Sequence, residues 1–136
     1  MSEFRITIND TKTGKSYNKA LDTDLFLGKR IKDKINGDDL GLKGYELEIT
    51  GGSDNAGFPM RYDLSGTGRK KIKILSGTGL RKLPKRGINV RKTVKGNTIS
   101  NDIVQVNLKI IKDGSKKVEE IFGVETKKEE TIAKQE

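Results

Sequence analysis

Residues 104–110 read Val104-Gln105-Val106-Asn107-Leu108-Lys109-Ile110. Apolar side chains fall on every second position, so one face of an extended chain is greasy and the other polar. That is the period of a half-buried strand and not of a helix. Asp113-Gly114 follows, a tight-turn dipeptide, and the spacing predicts a hairpin with 116–122 returning beside the strand. This is the clearest periodicity in the chain, and it sets the class as β.

The same alternation recurs upstream. Phe4, Ile6 and Ile8 alternate with Arg5 and Thr7, and residues 15–21 are expected to pair back after the Asn9-Asp10 turn. Asp22-Thr23-Asp24 precedes Leu25-Phe26-Leu27, enough to start one helical turn before Gly28 stops it. Residues 31–35 read as a short strand ending at Asn36-Gly37, and Tyr45, Leu47 and Ile49 mark another. A glycine-rich loop is expected over 51–57, a strand over 71–74 and a weaker one over 88–94. The pentapeptide Leu-Ser-Gly-Thr-Gly stands at both Leu64 and Leu75, as two similar glycine turns. About seven short strands with little helix predict a mainly β fold, a small antiparallel barrel-like domain or a pair of curled sheets with glycine-rich loops. One domain over 1–123 is expected, followed by a flexible or weakly helical tail over 124–136 that is short and mobile.

Charge is distributed far less evenly than hydrophobicity. Arg69, Lys70, Lys71, Lys73, Arg81, Lys82, Lys85, Arg86, Arg91, Lys92 and Lys95 lie in one 27-residue stretch that contains no acid. Elsewhere 17 basic side chains face 19 acidic ones, so the net charge of +9 arises in that stretch alone. A block of one sign repels itself unless an outside polyanion neutralises it. Glycines 66, 68, 77, 79 and 87 lie among these cations, where backbone amides can approach a sugar-phosphate chain. Aromatics are scarce here, only Phe58 and Tyr62, which favours folded, double-helical RNA held by backbone and shape over base reading. Phe58 reads as a plug that closes its loop onto the core.

The composition argues against catalysis. Histidine and cysteine are absent, which removes the usual general base, thiol nucleophiles and the commonest transition-metal ligands. Gly52–Gly57 has the spacing of a phosphate loop, but Phe58-Pro59 stands where Lys and a hydroxyl residue are required. The carboxylates, Asp54 and the Asp38-Asp39 pair among them, read as turn and strand-face residues. No enzyme activity, cofactor, metal site or small-molecule substrate is expected. The first twenty residues carry no signal-like apolar core and no apolar run approaches a spanning length, so a soluble cytoplasmic protein without a membrane partner is expected.

Three stretches carry a family resemblance. Gly51–Arg61 (GGSDNAGFPMR), Leu40–Ile49 (LGLKGYELEI) and Lys85–Ser100 (KRGINVRKTVKGNTIS) resemble, in order, segments of ribosomal protein six of the small subunit, archaeal and eukaryotic type. This is not the bacterial protein of the same number. The resemblance spans residues 1–123 and implies a barrel-like protein packed on small-subunit ribosomal RNA, with neighbouring ribosomal proteins as further partners. It implies RNA contact by Arg61, Arg69, Lys70, Lys71, Lys73, Arg81, Lys82, Lys85, Arg86, Arg91, Lys92 and Lys95. No serine follows Ser115, so the tail phosphorylation of eukaryotic relatives does not carry over and the form is archaeal-like. A free-standing RNA chaperone or translation regulator would use the same surface.

Overall fold

The computed structural model describes residues 3–82 and 87–121. Seven strands run in chain order: β1 (Glu3–Asn9), β2 (Ser16–Asp22), β3 (Lys34–Asn36), β4 (Glu46–Asp54), β5 (Arg69–Ile74), β6 (Val90–Lys95) and β7 (Ile103–Lys112). Five form one sheet in the order β2-β1-β7-β4-β3, and β5 with β6 forms a separate two-stranded ribbon. The expectation of a mainly β fold with little helix holds. The large sheet is open at β2 and β3 and does not close into a barrel. It is also not wholly antiparallel, because β1 and β7 run parallel, Ile6 opposite Val106 and Ile8 opposite Leu108.

The strand that opened the sequence reading lies in the middle of the sheet. Val106, Leu108 and Ile110 of β7 meet Phe4, Ile6 and Ile8 of β1 and Leu47 and Ile49 of β4 in one buried face. Phe26, Ile31, Leu42, Met60, Ile99 and Val118, from connecting segments, belong to the same core. Phe26 meets Phe4 edge to face with ring centroids 5.6 Å apart, a favourable aromatic geometry. Every second residue of β1 and β7 is therefore fixed by burial, and a one-residue slip would expose the whole set.

Three segments differ from expectation; the strand expected over 31–35 is confined to Lys34–Asn36, because the chain turns at 31–32. Residues 51–54 are not loop: β4 continues through them, with register shifts between Ile49 and Gly51 and between Ser53 and Asp54. Gly52 lets it do so, since a Cβ there would lie 2.3 Å from the carbonyl oxygen of Gln105. Residues 116–121 do not return as a strand. They turn at Ser115, and 118–121 form a single helical turn that buries Val118. The Tyr45 hydroxyl donates to the Lys116 carbonyl and holds that turn. Near Leu25 the chain makes successive tight turns, Leu27 N–H to Asp24 O and Lys29 N–H to Phe26 O. The tail over 124–136 lies outside the described residues.

The ribbon is attached to the sheet through Pro59 and Met60. Met60 N–H donates to Gly52 O of β4, and Lys95 N–H donates to Pro59 O. The loop after β5 folds back over the face of the ribbon that carries Ile74 and Val94. Gly79, at φ +97, lies against Ile74 and Val94 so closely that a Cβ would sit 2.9 Å from a Val94 methyl. In the repeated pentapeptide Gly66 and Gly77 share a left-handed backbone, while Gly79 has one and Gly68 does not.

Candidate nucleic-acid interface

Antiparallel pairing decides which cations of the ribbon face which way. Lys73 stands directly opposite Arg91 and Lys71 opposite Thr93, and all four share one face with Arg69 and Lys95. Lys70 and Lys92 lie on the other face, opposite Val94 and Ile72. The lysines of β5 do segregate from Ile72 and Ile74 as 71 and 73, but the ribbon as a whole is basic on both faces.

The base of the ribbon is neutralised by the protein itself. Arg69 Nε donates to Asp54 Oδ2 at 2.7 Å, and its guanidinium also reaches Asn55 Oδ1 and lies 5.1 Å from the Phe58 ring centroid. Phe58 is half-buried and supports this arginine, where a core plug was expected. Asp54 is a buried acid. Burial pushes its carboxyl up, but the Arg69 hydrogen bond, the Phe58 and Ala56 N–H groups and the Arg69 charge together outweigh that. Its pKa therefore falls below the ordinary carboxylate value. Lys95 is only 3% exposed and its ammonium lies 3.2 Å from Asp102. Arg61 grips Asp63 through two nitrogens, each at 2.8 Å, and donates to Thr78 O. The Asp63 hydrogen bond raises the arginine's pKa further and lowers that of the acid.

Further out the pattern changes. Lys70, Lys71, Lys73, Arg81, Lys82, Arg91 and Lys92 are all exposed, and among the described residues none has a carboxylate partner. Three cations elsewhere among the described residues do find one, in Lys12–Asp113, Lys15–Glu119 and Lys34–Glu46. Two like charges directly opposite across a ribbon, as at Lys73 and Arg91, oppose pairing. Such an arrangement is stable chiefly when counter-charge arrives from outside. Of the twelve residues expected at an RNA contact, these seven form an open basic surface. Arg61, Arg69 and Lys95 are tied internally, and Lys85 and Arg86 lie outside the described residues.

The family profile of ribosomal protein S6e matches residues 4–123. The chain belongs to that family. It is similar to the small ribosomal subunit protein eS6 of Archaeoglobus fulgidus, 46% identical over 125 residues, covering 88% of this chain and 95% of the relative. The protein of the same name from Nanoarchaeum equitans is 47% identical over 123 residues, covering 90% and 91%. That of Methanocaldococcus jannaschii is 40% identical over 126 residues, covering 92% and 95%. The match takes in both the large sheet and the ribbon, so the open basic surface lies within the family's own domain.

Sequence reasoning missed three participants. Asp54 and Asp102, the acids that hold the ribbon base, carry no local signal because their partners are brought in by the fold. Lys32 and Tyr62 meet across 30 positions, the ammonium 3.8 Å from the ring centroid. Lys32 is also the one described non-glycine residue with positive φ, +76°, which nothing in a lysine announces.

Proposed function

We propose that this chain is a structural constituent of the small ribosomal subunit that binds folded ribosomal RNA through the β5–β6 ribbon and the loop it carries. Its place is the cytoplasmic ribosome, and as a member of a structural ribosomal family it is no enzyme. The observation that carries the RNA reading is the set of seven exposed cations without a carboxylate, two of them forced opposite each other. Bound phosphate removes that repulsion and replaces released counterions. The internally paired Arg61, Arg69 and Lys95 shape and hold the surface. Neutralising RNA helices in this way fixes their approach during subunit assembly.

Filter binding to small-subunit ribosomal RNA at graded salt tests this. Wild-type affinity is expected to fall with log salt at a slope of about −4 to −5, as for five or so phosphate contacts. Alanine at Lys71, Lys73, Arg91 and Lys92 together is expected to flatten the slope by about 3 to 4, since each phosphate contact contributes close to one. An unchanged slope would place the contacts elsewhere.

A further inference from the structure

Beside the ribbon lies a cleft of about 380 Å³ lined by Ile31, Lys32, Glu48, Met60, Tyr62 and Thr78 among others. Ile31 and Met60 give it an apolar floor from the core, and Gly77 and Thr78 of the basic loop form one wall. Tyr62 is 59% exposed, the most exposed large apolar side chain among the described residues. Lys32 holds a cation against its ring although its backbone is in a region that side chains other than glycine avoid. The strained backbone is fixed by Lys32 N–H donating to Ile49 O at 2.7 Å. Glu48, which stands across the sheet from Lys34 and Lys109, brings a carboxylate with no hydrogen bond and no ion pair within 4 Å among the described residues.

An aromatic ring with a cation over one face and the rest exposed, an apolar floor and a carboxylate that makes no hydrogen bond among the described residues fit one class of ligand. We propose that this cleft receives a single unpaired nucleotide of the RNA, its base stacked on Tyr62 and its edge read by Glu48. The ring and Lys32 supply sequence-tolerant stacking and charge. The carboxylate supplies selectivity, because guanine alone presents two adjacent N–H donors on its pairing edge to two carboxylate oxygens. The proposal rests on the RNA-binding reading and deepens it, adding one point of base recognition to a surface that otherwise reads backbone and shape.

The test uses the full chain and two probes. In amide NMR titrations, guanosine 5′-monophosphate is expected to shift Lys32, Glu48, Thr50, Tyr62 and Thr78 more than the other three nucleoside monophosphates do, and inorganic phosphate is expected to shift only the ribbon. Tyr62→Leu should abolish the cleft shifts, and Glu48→Gln should remove the preference for guanosine. With ribosomal RNA, Tyr62→Leu should weaken binding by about 5- to 100-fold while leaving the salt slope intact. Nucleotides that shift only the ribbon, as phosphate does, would overturn the cleft. So would unchanged RNA affinity with the wild-type slope, which would leave the RNA-binding reading standing. Absence of any salt-dependent RNA binding in the wild type would instead overturn that reading itself. Tyr62 is largely solvent-facing, so its replacement leaves the fold intact.

Discussion

Asp54 keeps its negative charge with its side chain fully out of water because three donors converge on it: Arg69 Nε and the Ala56 and Phe58 N–H groups. Arg69 is partly exposed, so solvent screens the Coulomb part and the hydrogen bonds carry most of the stabilisation. Asp54→Asn preserves the shape and removes the charge. It is expected to lower stability by about 1.5–3 kcal/mol in urea unfolding at neutral pH. The sign with pH follows from the depressed pKa. The contribution is complete above the ordinary value of 3.8 and is lost as pH falls below it, through the folded-state value. Unfolding curves of wild type and Asp54→Asn should therefore converge as the solution is acidified; a difference independent of pH would show that folding does not depress the Asp54 pKa. None of this was legible from the sequence, where Asp54 read as a solvated turn residue. What distinguishes it from its neighbours is an arginine 15 positions away, delivered by the ribbon. Lys32 was hidden for a similar reason, since its left-handed backbone is imposed by Ile49 and not by its own chemistry.

At the scale of elements, the ribbon sets stability against binding. A two-stranded ribbon is marginal by itself, and here Lys73 faces Arg91 across it. Arg91→Glu converts that pair to an attractive one and is expected to stabilise the free protein by about 0.2–1 kcal/mol, read as a raised melting temperature. The same change should weaken RNA binding and flatten its salt slope by more than one contact. A variant that lost both stability and affinity would mean that Arg91 has a structural role. Which strands exist was legible, because alternation in residues 4–8, 104–110 and 71–74 is strict. Where they end was not. Gly51 and Gly52 signalled a loop, yet Gly52 is needed inside β4, where only hydrogen fits beside the Gln105 carbonyl. The chain bends just past Asp113-Gly114, at Ser115 and Lys116, and 118–121 wind into a helical turn that buries Val118 in the core instead of extending the sheet.

For the whole molecule, the uneven charge seen in the sequence becomes a body in which acids and bases are mixed, some of them paired, and a ribbon whose outer cations have no acid among them. Clustering of Arg and Lys with no acid between them pointed to seven cations that are exposed and unpaired among the described residues. It could not separate Lys95, which is internal, from Lys92, which is exposed, since that depends on Asp102 and on which end of the ribbon meets the sheet. In sedimentation of a cell lysate the protein is expected to travel with small ribosomal subunits in equal stoichiometry, and the Lys71, Lys73, Arg91, Lys92 alanine variant to shift toward the free fraction. Recovery of the wild type away from subunits would favour the chaperone alternative.

The parallel pairing of β1 with β7 has a consequence for biosynthesis. The first strand to leave the ribosome must wait for a neighbour encoded about a hundred residues later, so the large sheet cannot be completed stepwise as the chain emerges. Until Ile103–Lys112 is made, Phe4, Ile6 and Ile8 have only the β2 hairpin beside them and remain open to wrong associations. A nascent chain stalled before residue 103 would hold its apolar surface uncovered, and folding would be late and concerted.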